Sequence, residues 1–222
     1  IRFWVKKPEF NEEVLIDDMV RIKRLYASHG YYDAEATYEL KYNSDHSRVE
    51  ITINIKEGEP VILTELSIGY EGDITDKVKK DIDKAIPLKV DKTFSPVGYQ
   101  QTKGAIEEIL SNEGHPKAVV DGEALVNRKE KWARAKFVVK PGPIYTFGSV
   151  TVAGNVEVES YVISREALFK KGDVYSLQKI NETQANIFQL GLFRSVVIDP
   201  VYNEEDHVAD IRITVKERKQ GS

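Results

Sequence analysis

The chain has 222 residues, of which 41% are hydrophobic and 31% charged, a balance typical of globular proteins with modest cores. Acidic and basic residues are mixed along the sequence and leave a formal net charge of −4, so nucleic acid is not an expected partner. The apolar runs are far shorter than the ~20 residues of a membrane-spanning helix, and without cysteine the chain has no disulfide or zinc–thiolate site. Because Ile1 is not a natural start, we expect that an upstream segment has been removed.

Residues 11–57 predict one helix followed by two strands. Asn11 is a typical N-cap residue, and acidic residues follow it in the first turn, where the helix dipole favours them. The strands, around 34–43 and 48–57, alternate apolar and polar residues. We therefore expect a sheet buried on one face and solvated on the other. The apolar residues expected on the buried face of the second strand are Val49, Ile51, Ile53 and Ile55.

Residues 61–140 predict a strand, two helices and a hairpin. The strand covers 61–70, and Asp73 is a candidate cap for a helix that Pro87 ends. Ser95 and Pro96 begin the second helix and Gly114 closes it. A hairpin follows, with strands 117–127 and 131–140. Three strands with two helices on one face make a small α+β domain.

The remaining residues predict the same order again. A strand at 144–153 precedes helices at about 157–169 and 176–190, and a hairpin runs to Lys216. Pro200 lies in the outer strand of that hairpin, which favours a sheet edge because proline cannot donate to a ladder.

These segments are copies of one repeat. Phe10 and Phe94, Gly30 and Gly114, and Gly58 and Gly142 are each separated by 84 positions. We therefore predict three modules: 1–58, lacking its first strand and helix, and the complete modules 59–141 and 142–219. The short proline-containing links predict a restricted orientation between neighbours.

No motif of catalysis or cofactor binding is present, so we expect neither an enzyme nor a cofactor nor a metal site. The run of acidic residues and histidine at 204–207 is interpreted as a solvated hairpin tip. Trp132 falls on the outward phase of its strand, and packing between modules, contact with a partner or plain exposure is consistent with that position.

The βααββ order, with a helix ending in Gly-Tyr or Gly-Leu-Phe before a hairpin, resembles the POTRA domain. Three segments carry the resemblance most specifically: the Gly-Asn that ends the strand at 150–155, the helix and strand at 183–196, and the final strand at 215–219. The resemblance implies tandem modules, each a three-stranded mixed sheet with two helices on one face and the third strand in the middle. It also implies a periplasmic arm of a BamA- or TamA-type outer-membrane barrel protein.

Two functions follow from the resemblance. The first is a polypeptide-binding arm that assembles or translocates barrel or secreted proteins, with unfolded polypeptides and accessory periplasmic or lipoprotein subunits as partners. The second is a docking scaffold in a division protein or a two-partner secretion pore. Either places the chain in the periplasm, in contact with the membrane only through a barrel that this sequence lacks.

The outer hairpin strands are the predicted peptide-binding edges, because an unpaired edge binds extended chains through their backbone. Glu123 is taken as a position whose backbone points outward. The candidate binding residues are Val119, Asp121, Glu123, Leu125, Val196 and Ile198.

Overall fold

The structure is a computed structural model that describes residues 9–218. The helices are α1 Glu12–Ser28, α2 Asp76–Ala85, α3 Pro96–Asn112, α4 Ser160–Ser164 and α5 Leu177–Gln189. The strands are β1 Glu35–Tyr42, β2 Val49–Lys56, β3 Ile62–Tyr70, β4 Val119–Asn127, β5 Trp132–Lys140, β6 Thr146–Ala153, β7 Phe193–Asn203 and β8 Val208–Glu217. Within residues 9–218, no helix combines the length and the apolar character that crossing a membrane requires.

The strands of residues 9–218 form three separate sheets. The first sheet contains β1 and β2, the middle sheet has the order β3-β5-β4, and the third sheet has the order β6-β8-β7. In the third sheet β8 is parallel to β6 and antiparallel to β7. The predicted α+β fold is confirmed, and the middle and third sheets are three-stranded with the last strand in the middle, as expected.

The chain divides into two compact units. The first comprises the residues up to Ser67 together with Pro87–Thr102 and Glu123–Lys136. The second comprises Ile68–Ile86, Lys103–Gly122 and the residues from Phe137 onward. The predicted module boundaries near residues 58 and 141 stay a prediction, and residues 1–8 and Lys219 lie outside the described residues.

In the first unit, α1 packs on β1 around a small core of Leu15, Met19 and Ala36. Asn11 caps this helix as predicted, because its Oδ1 accepts from the Glu13 N–H at 2.9 Å. The prediction for β2 was wrong: the isoleucines at 51, 53 and 55 remain 39–42% exposed. Among the described residues neither a third strand nor a second helix covers this part of the first sheet.

The turn after α1 is held by contacts within the first unit. The Gly30 carbonyl accepts from the Val61 N–H at 3.1 Å. Lys131 forms an ion pair with Asp33, and the Arg128 guanidinium lies 4.5 Å from the centre of the Tyr32 ring.

In the second unit, the third sheet packs against α4 and α5 around an aromatic core. Phe147 and Phe169 stack with ring centres 3.9 Å apart, and Tyr175 lies 5.3 Å from Phe147. Ile180 and Ile187 of α5 are buried in the same core. Dense packing of this kind makes each of these side chains sensitive to truncation.

The turn after α3 repeats the arrangement after α1. The Gly114 carbonyl accepts from the Tyr145 N–H at 2.8 Å, and both residues lie 84 positions after their counterparts Gly30 and Val61. The ion pairs at the two turns have exchanged charges. Asp33 is the acidic partner in the first turn, whereas Lys117, which lies 84 positions later, is the basic partner in the second and is 3.2 Å from the Glu204 carboxylate.

Two predicted helix boundaries were wrong. Thr75, not Asp73, caps α2, with its Oγ1 accepting from the Val78 N–H at 3.4 Å. Helix α4 covers five residues and not the predicted 157–169. Its start is delayed because the backbone amides of residues 156–158 donate to the Glu217 carboxylate.

Candidate peptide-binding edges

Strand β7 is the outer strand of the third sheet, and one hydrogen bond fixes the direction of its backbone groups. The Thr146 N–H donates to the His207 carbonyl at 3.0 Å, so this carbonyl points to β6. The two ends of a trans peptide group point in opposite directions, and residues alternate along a strand. Even-numbered residues of β8 therefore bond to β7, and odd-numbered residues bond to β6.

This alternation explains how β7 contains a proline. Pro200 lies opposite Ile211, whose backbone groups point to β6, so no ladder bond is lost at Pro200. The residues of β7 with the same phase direct their backbone groups away from β8, to the open edge. They are Val196, Ile198, Pro200 and Tyr202.

The side chains of Val196 and Ile198 are only 7% and 8% exposed and belong to the core of the third sheet. These two candidate residues therefore present their backbone, and not their side chains, at the edge. Edge pairing needs only the backbone groups.

A groove runs between this edge and α5. It has a volume of about 290 Å³ and is lined by Val196 and by residues on one stripe of the helix: Asn181, Gln184, Ala185 and Phe188. The spacing i, i+3, i+4, i+7 places them on one face, beside the stripe that packs in the core. Phe188 is 47% exposed. We did not predict these residues from the sequence, although this second stripe was the signal that marks them.

Strand β4 is the outer strand of the middle sheet, and its phase is opposite to the prediction. The Val139 carbonyl accepts from the Glu71 N–H at 2.8 Å, so odd-numbered residues of β5 bond to β3. These residues are also the buried ones of β5. Directly opposite residues of an antiparallel pair share a face, so the buried Val120 lies opposite an odd-numbered residue. Val120, Gly122 and Ala124 therefore point to the open edge, and Glu123 bonds to β5.

The candidate residues Val119, Asp121, Glu123 and Leu125 lie together on the outer face of β4. Val119 and Leu125 are 50% and 58% exposed. Glu123 and Leu125 line a shallow groove of about 220 Å³ across the outer face of the sheet, together with Arg134.

Charged contacts accompany this face. The Lys140 ammonium donates to the Asp121 carboxylate at 2.7 Å, and it lies 3.9 Å from Glu71. The hydrogen bond from Lys140 lowers the pKa of Asp121, and the same bond raises the pKa of Lys140. Paired charges of this kind next to an edge oppose its pairing with another copy of itself.

Trp132 lies at the same face and is partly buried. Its Nε1–H donates to Glu130 at 2.8 Å, and the Arg134 guanidinium lies 5.0 Å from its ring centre. Both contacts are formed inside the first unit.

The acidic tip at 204–207 has a structural role. Glu204 accepts from the Tyr145 hydroxyl at 2.6 Å, which raises the pKa of Tyr145 to about 12. The bonds from Tyr145 and Lys117 lower the pKa of Glu204. In residues 9–218, no three acidic or histidine side chains come together as metal ligands.

Comparison with known proteins explains the repeated fold. The family model described as surface antigen variable number repeat, POTRA, matches residues 5–58 and 145–218. Together the two matches cover more than half of the chain. The chain belongs to the POTRA family.

Curated relatives of this POTRA chain are outer-membrane assembly factors. The chain is 24% identical over 217 residues to the outer membrane protein assembly factor BamA of Neisseria meningitidis, covering 96% of this chain and 27% of the relative. It is 26% identical over 215 residues to a putative outer membrane protein assembly factor of Treponema pallidum, covering 94% and 25%. The chain thus spans about a quarter of the length of these relatives.

Solved POTRA structures share the fold. The crystal structure of BamA POTRA3-5 from Haemophilus influenzae superposes with a TM-score of 0.66 at 21% identity, covering 96% of this chain and 84% of that one. BamA from Haemophilus ducreyi lacking POTRA domains 1–3 gives a TM-score of 0.61 at 20% identity, covering 72% of this chain and 30% of that one. The predicted resemblance to the POTRA arm of a BamA-type protein is confirmed.

Proposed function

We propose that this chain is the periplasmic arm of an outer-membrane protein that assembles or translocates barrel or secreted proteins, and that it binds extended polypeptide segments at the open edges of β7 and β4. The observation that carries the proposal is the β7 edge, where outward backbone groups lie beside the α5 groove. The arm acts by binding and not by catalysis.

The β7 edge is suited to segments of varied sequence. Val196 and Ile198 each direct an N–H and a carbonyl outward, and an added strand pairs with these groups whatever its side chains are. One face of the added strand meets the groove, where Ala185 and Phe188 offer an apolar contact. Phe188 is 47% exposed and so is accessible to the added strand. We therefore expect a preference for an apolar or aromatic residue opposite Val196.

Pro200 limits the length of this edge. It lacks an N–H at an outward position, so the row of donors is interrupted after Ile198. A bound strand gains its backbone bonds over a short segment of about five residues.

At β4 the equivalent outward position is Ala124, whose exposed side chain leaves room for substitution. Gly122 lies on the same edge and offers little packing to an added strand. Backbone donors are complete along this edge, so we expect it to bind a longer segment than β7 does.

The proposal is tested by photo-crosslinking to a peptide of alternating valine and threonine that carries one benzophenone residue. Ala124→Pro removes an outward donor of β4 without breaking a bond to β5, and we expect it to abolish crosslinks to β4. Pro200→Ala adds a donor at β7, and we expect stronger crosslinking there.

Ala124→Thr is the matched control, because it enlarges the side chain and keeps the N–H. Crosslinks that are unchanged in Ala124→Pro and Pro200→Ala, or that map only to helix surfaces, contradict strand addition. Circular dichroism of each variant confirms that the fold is intact.

The location and the partners follow from the same proposal. The curated relatives are outer-membrane protein assembly factors, so we place this arm in the periplasm at the outer membrane. Its partners are unfolded outer-membrane or secreted polypeptides and accessory periplasmic or lipoprotein subunits.

A further inference from the structure

A second cavity adjoins the groove between β7 and α5, near the start of the helix. It has a volume of about 440 Å³, and all of its lining residues belong to the second unit. They lie on α3, on the turn after α3 and on the first turns of α5. Asn181 lines both this cavity, which we call the α3 cavity, and the α5 groove. One bound segment can therefore contact both.

The lining of the α3 cavity is rich in hydrogen-bond acceptors. Glu107 and Glu108 are exposed, and among residues 9–218 neither carboxylate forms an ion pair or a hydrogen bond. His115 donates from Nδ1 to the Gly142 carbonyl at 3.0 Å, so the other nitrogen of the neutral imidazole is an acceptor. Within the described part of the chain, no lysine or arginine lines the cavity. This lining is complementary to a basic side chain, which carries only donors.

Two contacts place the α3 cavity beside the C-terminal half of β7. The Tyr202 hydroxyl donates to the Tyr175 hydroxyl at 3.1 Å, so the start of α5 lies next to the end of β7. The Lys117 ammonium belongs to the turn that lines the cavity, and it lies 4.5 Å from the centre of the Tyr202 ring. At the other end of the groove, Phe188 lies beside Val196. Helix α5 and strand β7 therefore run side by side in opposite directions.

The spacing along the helix determines which residue of β7 lies beside the cavity. The α5 part of its lining, Leu177 and Asn181, is centred about nine residues before Phe188, which is about 13 Å along a helix. A strand covers about 13 Å in about four residues. Val196 and Pro200 are separated by this number of residues, so the cavity lies beside Pro200.

We propose that segments bound at the β7 edge carry a basic residue, arginine or lysine, opposite Pro200, and that its charged group binds in the α3 cavity. The proposal rests on the strand addition described under the proposed function and adds a sequence preference to it. With an apolar residue opposite Val196, the preferred segment has an apolar and a basic residue four positions apart. Residues opposite one another share a face of the sheet, so both side chains project to the side of α5.

A side-chain contact at this position compensates for a missing backbone contact. Pro200 offers no N–H to the bound strand, so the row of backbone bonds ends there. Hydrogen bonds between a basic group and a carboxylate are about twice as strong as neutral ones. The nearby Lys117 ammonium is already paired with Glu204 at 3.2 Å. The carboxylates of the cavity are therefore left to the bound residue.

The test is fluorescence anisotropy with three labelled peptides of alternating valine and threonine that contain one central phenylalanine. The first peptide has an arginine four positions before and four positions after the phenylalanine, so either strand direction places one arginine opposite Pro200. The second has citrulline, the neutral isostere, at both positions. The third has its arginines three positions away, on the opposite face of the strand. We expect the first peptide to bind with a dissociation constant about tenfold lower than the other two.

The double variant Glu107→Gln and Glu108→Gln removes the two charges of the cavity. We expect the advantage of the first peptide to disappear, while the affinity for the citrulline peptide stays unchanged. The matched control is Glu157→Gln with Glu159→Gln, which removes the same charge from a loop of the same unit that lines neither cavity. The control should keep the tenfold difference.

Replacing the phenylalanine by a benzophenone residue maps the bound position and separates this proposal from the proposed function. If the peptides crosslink to α5 or β7 but arginine and citrulline bind alike, the basic preference is wrong and strand addition stands. The same conclusion follows if the advantage of arginine survives in the Glu107 and Glu108 double variant, or if a spacing of three binds as tightly as a spacing of four. If no peptide crosslinks to α5 or β7, both proposals are wrong for this edge.

Discussion

Gly114 occupies a backbone conformation that excludes side chains. Its φ is +97°, and a Cβ atom would lie 2.7 Å from Cγ1 of Val174 and 3.0 Å from Cγ2 of Ile144. A non-glycine residue in the left-handed region costs of order 1–3 kcal/mol even without a clash. Glycine is therefore required at 30 and 114 by the backbone conformation of the turn, and not by binding.

We expect Gly114→Ala to lower the free energy of unfolding by at least about 1–3 kcal/mol, from strain and from crowding. Gly104→Ala is the matched control: it lies inside α3, and apart from its chain neighbours and the backbone of its own helix nothing lies within 4 Å of its added Cβ. That change should stabilise the chain by about 0.5–1 kcal/mol through helix propensity. Urea unfolding measures the free energy of unfolding of both variants, which we expect to fall for Gly114→Ala and to rise for Gly104→Ala. Equal changes in the two variants would contradict the constraint assigned to Gly114.

The two isoleucines of α3 at 106 and 109 differ in burial. Ile106 is fully buried and Ile109 is half-buried, so the core stripe of α3 runs through Ile106 and Leu110. The sequence pattern alone did not separate these two neighbours, because both fit a helical period.

Ile106→Ala should cost about 2–4 kcal/mol, the usual range for truncating a buried aliphatic side chain. Ile109→Ala should cost about 1 kcal/mol, since only part of its surface is removed from water. Chemical denaturation measures both. A larger effect at 109 than at 106 would show that the phase of α3 is misassigned.

The end of β8 and the loop before α4 depend on one carboxylate. Glu217 accepts from the N–H groups of Val156 and Val158 at 2.8 and 3.0 Å, and from that of Glu157 at 3.1 Å. These bonds lower the pKa of Glu217. The gain in stability is therefore present above the pKa of the unfolded chain and is lost as the pH falls through the lower, folded pKa.

We expect Glu217→Gln to lower the Tm of the chain at pH 7 and to have a progressively smaller effect as the pH falls below about 4.5. The difference in Tm between the two proteins, measured from pH 7 to pH 3, checks the sign. Glu157→Gln is the control. Glu157 lies in the same loop and bonds to Glu217 through its backbone N–H, so changing its side chain leaves that bond in place. A constant difference across this range would exclude the carboxylate as the cause.

The hydrogen-bond pattern, and not the side-chain pattern, determines which residues of an edge strand direct their backbone groups outward. Asp121 and Glu123 are exposed in β4, but the backbone at these positions bonds to β5. Side-chain direction and backbone direction alternate together, so the outward edge groups belong to residues whose side chains face the core. Pro200 was the single residue of the sequence that marked this phase directly.

Short turns join the predicted modules. The turns after α1 and α3 use glycine carbonyls at equivalent positions, yet the compact units do not coincide with the predicted modules. Gly30 bonds to Val61, and Gly114 bonds to Tyr145. Each of these hydrogen bonds crosses a predicted module boundary, near residue 58 or near residue 141.

Native-state hydrogen exchange distinguishes the two divisions. If the modules are the cooperative units, amides in residues 59–141 should exchange together and separately from those in 142–218. The alternative is that the amides of residues 103–122 exchange at the rate of the third sheet, while those of residues 87–102 exchange at the rate of the first sheet. That result would contradict the three-module prediction.

Much of the fold was available from the sequence because its signals are local or periodic. The N-caps at Asn11 and Ser95, the hairpins and the 84-residue repeat depend on neighbours along the chain, and they predicted the element order. The length of α4, the exposure of Ile53 and the groove beside Phe188 depend on residues distant in sequence. Glu217 reaches the loop before α4 from 60 positions away, and among residues 9–218 no neighbouring strand buries the isoleucines of β2. Only tertiary contacts decide such features, since a periodic pattern predicts which face is apolar but not which element covers it.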